Sequence, residues 1–394
     1  MSKASSVSMS PALRADIEGW FARRGVPQLI EGYSSEPAMD ARATPLLAGW
    51  LILGTVRDWG TNPDWTAAAN ALGIATTLTW MAVVWVLVRR VRGRPAWMRQ
   101  ATFDVVDIAT MALLPAVPAA LIDGSAREAV TSALGALTGI GVVYVIVGFG
   151  MIEIGVWALV RLWQQLTYLV GLVARTLPIL LIIVVFLLFT SEIWEVAHAL
   201  SPEELAVVLV LLLLLAGLFV GTAFRGELRQ IEADPDPTWP LTQTHGTPVE
   251  PLAKSIGSDR IDVPRLSWLQ RGNLTLLVVV PTVLQATFLA VVVMVVLTLF
   301  AAFIIPMPVL GAWIGEPPRT LVTVDFLGEA RALTAEMLMV CALLGGIVGL
   351  YFSGLAISDP AYRSERFDRD VAGVRELIAA RAIYLHALRA AAPA

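Results

Sequence analysis

The chain has 394 residues, 57% hydrophobic and 15% charged, against roughly 25% charged in ordinary soluble domains. Its formal net charge of −4 gives no bulk electrostatic affinity for nucleic acid. One cysteine, Cys341, excludes an intrachain disulfide and any multi-cysteine metal site.

The charges collect between apolar blocks long enough to cross a bilayer, which takes roughly 20 apolar helical residues. Residues 1–43 are polar and read as a cytoplasmic segment with a helix over Pro11–Arg24; no cleavable signal peptide is expected. Thr44–Val56, ended by Arg57 and Asp58, is marginal in length, so a crossing, a re-entrant piece and a surface helix are all open. Trp65–Val88 is a clear span. It runs into Arg89, Arg90, Arg92, Arg94 and Arg99 with no acid before Asp104, which places this loop in the cytoplasm by the positive-inside rule. Phe103–Ile122 then goes out, interrupted by Pro115 and Pro118, and Ala129–Met151 returns.

Residues 152–174 read as an elbow helix, because Arg161, Gln164, Gln165, Tyr168 and Arg175 form one polar stripe at helical spacing. Thr176–Ala197 goes out and Glu204–Phe224 comes back. Residues 225–272 are expected to be a cytoplasmic loop, since Asp234-Pro-Asp-Pro237 forbids a regular helix. Asn273–Ile305 goes out, with no formal charge from Leu274 to Ile305, and Ala330–Ile357 returns. The arginine-rich tail, residues 358–394, carries an amphipathic helix with Phe367, Val371, Val374, Ile378 and Leu385 on one face. That helix either lies on the membrane, packs on the cytoplasmic loop or self-associates.

The fold class is therefore all-α: a polytopic transmembrane bundle in which residues 44–224 supply the first five to six spans and 273–357 the last two. If Thr44–Val56 crosses, there are eight spans with both termini inside. Otherwise there are seven, with the N-terminus outside.

Four blocks carry a resemblance. They are Arg24-Gly-Val-Pro-Gln-Leu-Ile-Glu-Gly-Tyr33, Arg175-Thr-Leu-Pro-Ile-Leu-Leu with Phe189-Thr-Ser-Glu-Ile-Trp-Glu195, Trp268-Leu-Gln-Arg-Gly-Asn273, and Tyr351-Phe-Ser-Gly with Ser358-Asp-Pro-Ala-Tyr-Arg363. In these the chain resembles a group of uncharacterised actinobacterial integral membrane proteins. The resemblance implies that the region of Thr44–Val56 is a first membrane segment, hence eight spans in a bacterial plasma membrane. It implies no activity.

Glu195 and His198 share a helical face at i, i+3, with Glu192 one turn earlier. Di-iron bundles use such a pair, but they use it twice, and His245 and His386 lack the matching carboxylate. A polar outer end of a span is the plainer reading; an acidic mouth drawing cations is the functional one. Asp104, Asp107 and Glu153 lie at span ends. Asp107, one turn deeper than Asp104, reads either as a proton or cation site or, more readily, as an ion-pair partner of Arg161 or Arg175. Gly135 with Gly139, and Gly345 with Gly349, are small-residue ladders for helix packing, with a homo-oligomer contact as runner-up. Pro115, Pro118, Pro178 and Pro281 read as tolerated kinks, because no inverted repeat accompanies them.

The sequence holds no Walker A, HExxH, GxSxG or dinucleotide fingerprint, and no catalytic residue, metal or cofactor is assigned from it. The first functional reading is a channel- or carrier-like bundle. The second is a non-transporting scaffold or sensor presenting cytoplasmic segments to a protein partner. An intramembrane enzyme is the least favoured.

Overall fold

A computed structural model describes residues 9–33, 36–60, 66–93, 103–123, 126–164, 182, 184–256, 260–326, 329–360 and 363–391. It is all-α, with 82% of residues helical and five helices long and apolar enough to cross a membrane. The chain divides into two compact units, one of Pro27–Ile152 and one of Met1–Val26 with Glu153–Ala394.

In the unit of Pro27–Ile152, α2 is Glu36–Gly60, α3 Ala67–Val91, α4 Val105–Leu113, α5 Ala116–Asp123 and α6 Ala126–Gly148. The run Thr44–Val56 lies inside α2, whose 25 residues reach about 37 Å at about 1.5 Å per residue. The segment read as one broken span is two short helices. α4 stops at Leu113 and α5 begins at Ala116, where Pro115 offers no donor to continue the ladder. Ala43, Leu47, Met81, Trp85, Met111, Leu114 and Val143 make the core. The Trp50 indole lies over Gly139, where a Cβ would collide with it. Among the described residues nothing lies within 4 Å of a Cβ position at Gly135, so of the predicted ladder Gly139 is the member with a contact there.

The other unit holds α1 (Pro11–Arg23), α7 (Met151–Gln164), α8 (Ser191–Ala199), α9 (Pro202–Glu232), α10 (Trp239–Thr242), α11 (Glu250–Ile256), α12 (Trp268–Ile304), α13 (Met307–Ile314), α14 (Ala335–Ser358) and α15 (Asp368–Ala391). Three of the five apolar helices, α9, α12 and α14, pack together here. α12 has 37 residues, about 55 Å of helix, well beyond a hydrocarbon core of about 30 Å. The surplus lies towards its start: Asn273 is fully buried and donates its amide to the Gly25 carbonyl at 3.3 Å.

Several boundaries differ from the sequence expectations. Residues 165–175 of the expected elbow stripe and 176–181 of the following span lie outside the described residues. That span does not run unbroken to Ala197. The chain turns at Phe189 and Thr190, and α8 starts afresh at Ser191. Buried Trp194 secures the turn by donating its indole N–H to the Leu188 carbonyl at 2.8 Å. The interval read as a loop is shorter than 225–272, because α9 continues to Glu232 and stops just before Asp234-Pro-Asp-Pro237. Residues 330–334, read as the start of the last span, belong instead to a hairpin of β1 (Thr320–Phe326) and β2 (Glu329–Thr334), paired antiparallel with Thr320 opposite Thr334. The β-branched run Thr320-Leu-Val-Thr-Val324 favours strand, and Thr334 then caps α14.

The tail helix α15 is more than amphipathic. Ala379, Ala380, Ile383, Tyr384 and Ala387 are all within 0% exposure, as expected of a helix enclosed on several sides. α1 packs on it through Phe21, whose ring centroid lies 6.1 Å from that of Tyr384. Arg24 pairs with Glu376 at 3.1 Å. From the connecting segment, Trp239 stacks under Arg375 at 5.0 Å and Asp234 pairs with the same arginine. Of the three fates open to the tail, packing on the loop is the one observed.

Candidate functional site

The ionisable cluster in the unit of Pro27–Ile152 forms where α3 ends and α4 begins. Asp104 is the N-cap of α4 and accepts from the Val106 and Asp107 amides, while Asp107 reaches back to the Asp104 N–H. This capping box satisfies donors that a helix start leaves open. It also turns the Asp107 carboxylate inward, where it is fully buried. Arg89, 1% exposed, meets it at 3.5 Å, and Arg92 at 3.4 Å. Arg92 also pairs with Asp104. Among the described residues the ion-pair partners of Asp107 are thus Arg89 and Arg92 rather than Arg161. Arg161 pairs with Asp370 at 2.7 Å, and Arg175 lies outside the described residues. The reason is local: the arginines closing α3 are adjacent in sequence to the acids opening α4, so a short connection brings them together.

A second buried acid lies in the same unit. Asp40 of α2, 5% exposed, accepts from the Tyr144 hydroxyl at 2.6 Å and from the Phe103 amide at 2.8 Å. It ties α2 to α6 and to the residue preceding the α4 cap. Asp40 precedes the apolar run, so no hydrophobic pattern marks it in the sequence.

In the other unit, His198 is at a contact point but its predicted partner is not. Glu195 and Glu192 are exposed on α8. The His198 imidazole lies instead with Nδ1 3.0 Å from Glu336 and Nε2 3.4 Å from Glu316. Arg319 donates Nε to Glu336 at 2.8 Å and a terminal nitrogen to the His198 carbonyl at 3.3 Å. Glu336, in the first turn of α14, is fully buried. Arg319 and Glu336 stand on either side of the β-hairpin, so the cluster closes the hairpin base and fastens α8 to it. Among the described residues no group of three or more His, Cys, Asp or Glu side chains is arranged to hold a metal ion. Neither charged cluster presents a nucleophile beside a base.

A different feature stands at mid-span. Gln285 is the eighteenth of the 37 residues of α12 and is 3% exposed. Among the described residues its amide makes no hydrogen bond. One turn earlier, Pro281 lies inside the helix and withdraws the donor for the Leu277 carbonyl. The signal was present in the sequence, as one amide in a run of 32 uncharged residues, but its low exposure is visible only in the fold.

No family model matches this chain, and no curated protein or solved structure matches it either.

Proposed function

We propose that this protein is a carrier- or channel-like helical bundle of a bacterial plasma membrane, crossing it eight times with both termini in the cytoplasm. The observation that carries the proposal is Gln285 with Pro281 halfway along α12. An unsatisfied amide in hydrocarbon costs several kcal/mol, and intramembrane polar groups retained at such cost mark solute paths. A proline-interrupted helix that frees a carbonyl near the bilayer midplane is how many carriers build a binding site. In this reading Gln285 offers its amide, and Leu277 its carbonyl, to a polar solute in a conformation that admits water. At 25 residues α2 is long enough to cross but is not one of the five helices that are also apolar enough, so counting Thr44–Val56 as the first of the eight crossings rests on the resemblance.

The test is flux through liposomes carrying the purified full chain, with an internal pH-sensitive dye and imposed proton, sodium or potassium gradients. Flux above that of empty liposomes, falling at least tenfold in Gln285→Leu, is expected. Leakage equal to that of empty liposomes for every gradient contradicts the ion-conducting form of the reading.

The enclosed α15 favours a second reading, a membrane scaffold whose cytoplasmic layer of α1, α10, α11 and α15 engages a protein partner. Absent flux, together with specific capture of one protein that is lost on disrupting the Trp239–Arg375 contact, selects it.

A further inference from the structure

Within the unit that contains them, α9, α12 and α14 leave a cavity of about 140 Å³ between them. Its walls are hydrocarbon: Leu209, Leu212 and Ala216 of α9, Ala290 and Met294 of α12, and Ala342 of α14 among others. The one hydroxyl on its lining, Thr287, already donates to the Val283 carbonyl at 2.8 Å. Water needs two or more polar partners to occupy a cavity, so this one does not hold water. An engineered apolar cavity of about 150 Å³ takes a benzene ring, so the space matches one hydrocarbon segment rather than a whole lipid.

Depth fixes the occupant. The lining begins seven residues into α9 and seven into α14, and it ends ten residues before the close of α12. At about 1.5 Å per residue, all three helices place the cavity between roughly 10 and 27 Å from their common end. That is the middle of a hydrocarbon core of about 30 Å. Leu213 and Val291 of the lining are 39% and 52% exposed, so the cavity opens sideways. α12 approaches α14 closely at Gly345 and Gly349, and the Leu209 and Leu212 side chains of α9 reach Gly346, so these contacts frame the cavity.

We infer that one acyl chain of a bilayer phospholipid seats in this cavity, between α9 and α12 and over α14, as a bound lipid distinct from the mobile annulus. The bound segment supplies the dispersion contacts that a void would forfeit. It stands apart from the solute-path reading and survives if no flux is found.

The experiment reconstitutes the full chain in phosphatidylethanolamine–phosphatidylglycerol liposomes doped with a phospholipid bearing a diazirine midway along one acyl chain. After photolysis, adducts are mapped by mass spectrometry. Adducts on Leu209–Ala216, Ala286–Met294 and Ala342–Leu350 at least fivefold above those on the outward Val142 and Val145 of α6 are expected. Ala342→Phe, whose ring fills the space, should reduce them to that background. Thr287→Leu, a smaller filling, should give a partial loss and serves if the first variant fails to fold. Groove adducts no higher than on α6, or unchanged in a folded filling variant, overturn the inference. So does crosslinking of the groove to a second copy of the chain, or labelling only by a photoactivatable free fatty acid.

Discussion

Asp107 and Arg89 illustrate how a buried pair behaves differently when broken and when replaced. With exposures of 0% and 1%, neither charge has recourse to water. Asp107→Ala leaves the guanidinium without its carboxylate and should cost about 3–5 kcal/mol, read as a lower midpoint of denaturation in detergent. Replacing both, as Asp107→Leu with Arg89→Met, should recover most of that loss. A double variant no better than the single one would show that the arginine has a further essential partner. Gln285 carries the opposite expectation. Removing an amide that makes no hydrogen bond among the described residues should raise stability, so Gln285→Leu gains about 1–3 kcal/mol while flux falls. A destabilised Gln285→Leu would mean that the amide is satisfied in the folded protein, and the solute-path reading would lose its support.

Glu18 gives a pH dependence. Burial pushes its carboxyl up, but hydrogen bonds from Arg14 and Tyr384 outweigh this, and the group is held below its ordinary 4.5. A carboxylate with a depressed folded value stabilises at pH above its unfolded value and loses that contribution as acid protonates it. The docking of α1 on α15 should therefore be intact near neutrality and weaken as pH falls below the ordinary glutamate range. Glu18→Gln should flatten that part of the Tm–pH curve. An unchanged acid limb would assign it to other carboxylates.

At the scale of elements, the glycine ladders differ in how they are used: Gly345 and Gly349 both meet backbone, while of Gly135 and Gly139 only Gly139 meets a described neighbour. A Cβ at Gly345 would stand 2.5 Å from the Ala290 carbonyl oxygen, and at Gly349 2.9 Å from that of Ala286. Backbone cannot yield as a side-chain tip can, so Gly345→Ala should destabilise by about 1–3 kcal/mol. Gly135→Ala, facing open space, should stay within about 0.5 kcal/mol. Equal thermal shifts for the two variants would remove the α12–α14 crossing from the account. The GxxxG pattern was legible in both places, but spacing alone does not say which ladder meets a neighbour. The long apolar helices α3, α9 and α12 were legible for a plain reason: solvation by lipid demands a run of apolar residues that nothing else in the chain imitates. Helix ends were less so. α9 overran the expected end of its span because residues 225–232 contain no proline, Gly226 being tolerated inside the helix, and the hairpin took residues 330–334 because Thr320-Leu-Val-Thr-Val324 supplied a β-forming partner. The partners of His198 and Asp40 lie 138 and 104 residues away, beyond the reach of any local pattern.

For the molecule as a whole, the charge pattern and the fold converge on a chain whose solvent is lipid. The exposed residues of α9 alone include Leu211, Leu214, Leu215 and Phe219, an outward surface that water would not tolerate. The proposed threading puts the arginine-rich ends of the spans and the connecting segment before α12 in the cytoplasm, and the α5–α6 turn outside. Cys341 is buried, so engineered thiols report with little background. Labelling of intact cells with a membrane-impermeant maleimide is the most direct test. Arg127→Cys, exposed at the start of α6, should react from outside. Asp262→Cys, exposed in the connecting segment, should react only after the cells are opened. Reaction of Asp262→Cys in intact cells, or recovery of the protein in the soluble fraction without detergent, would contradict the account.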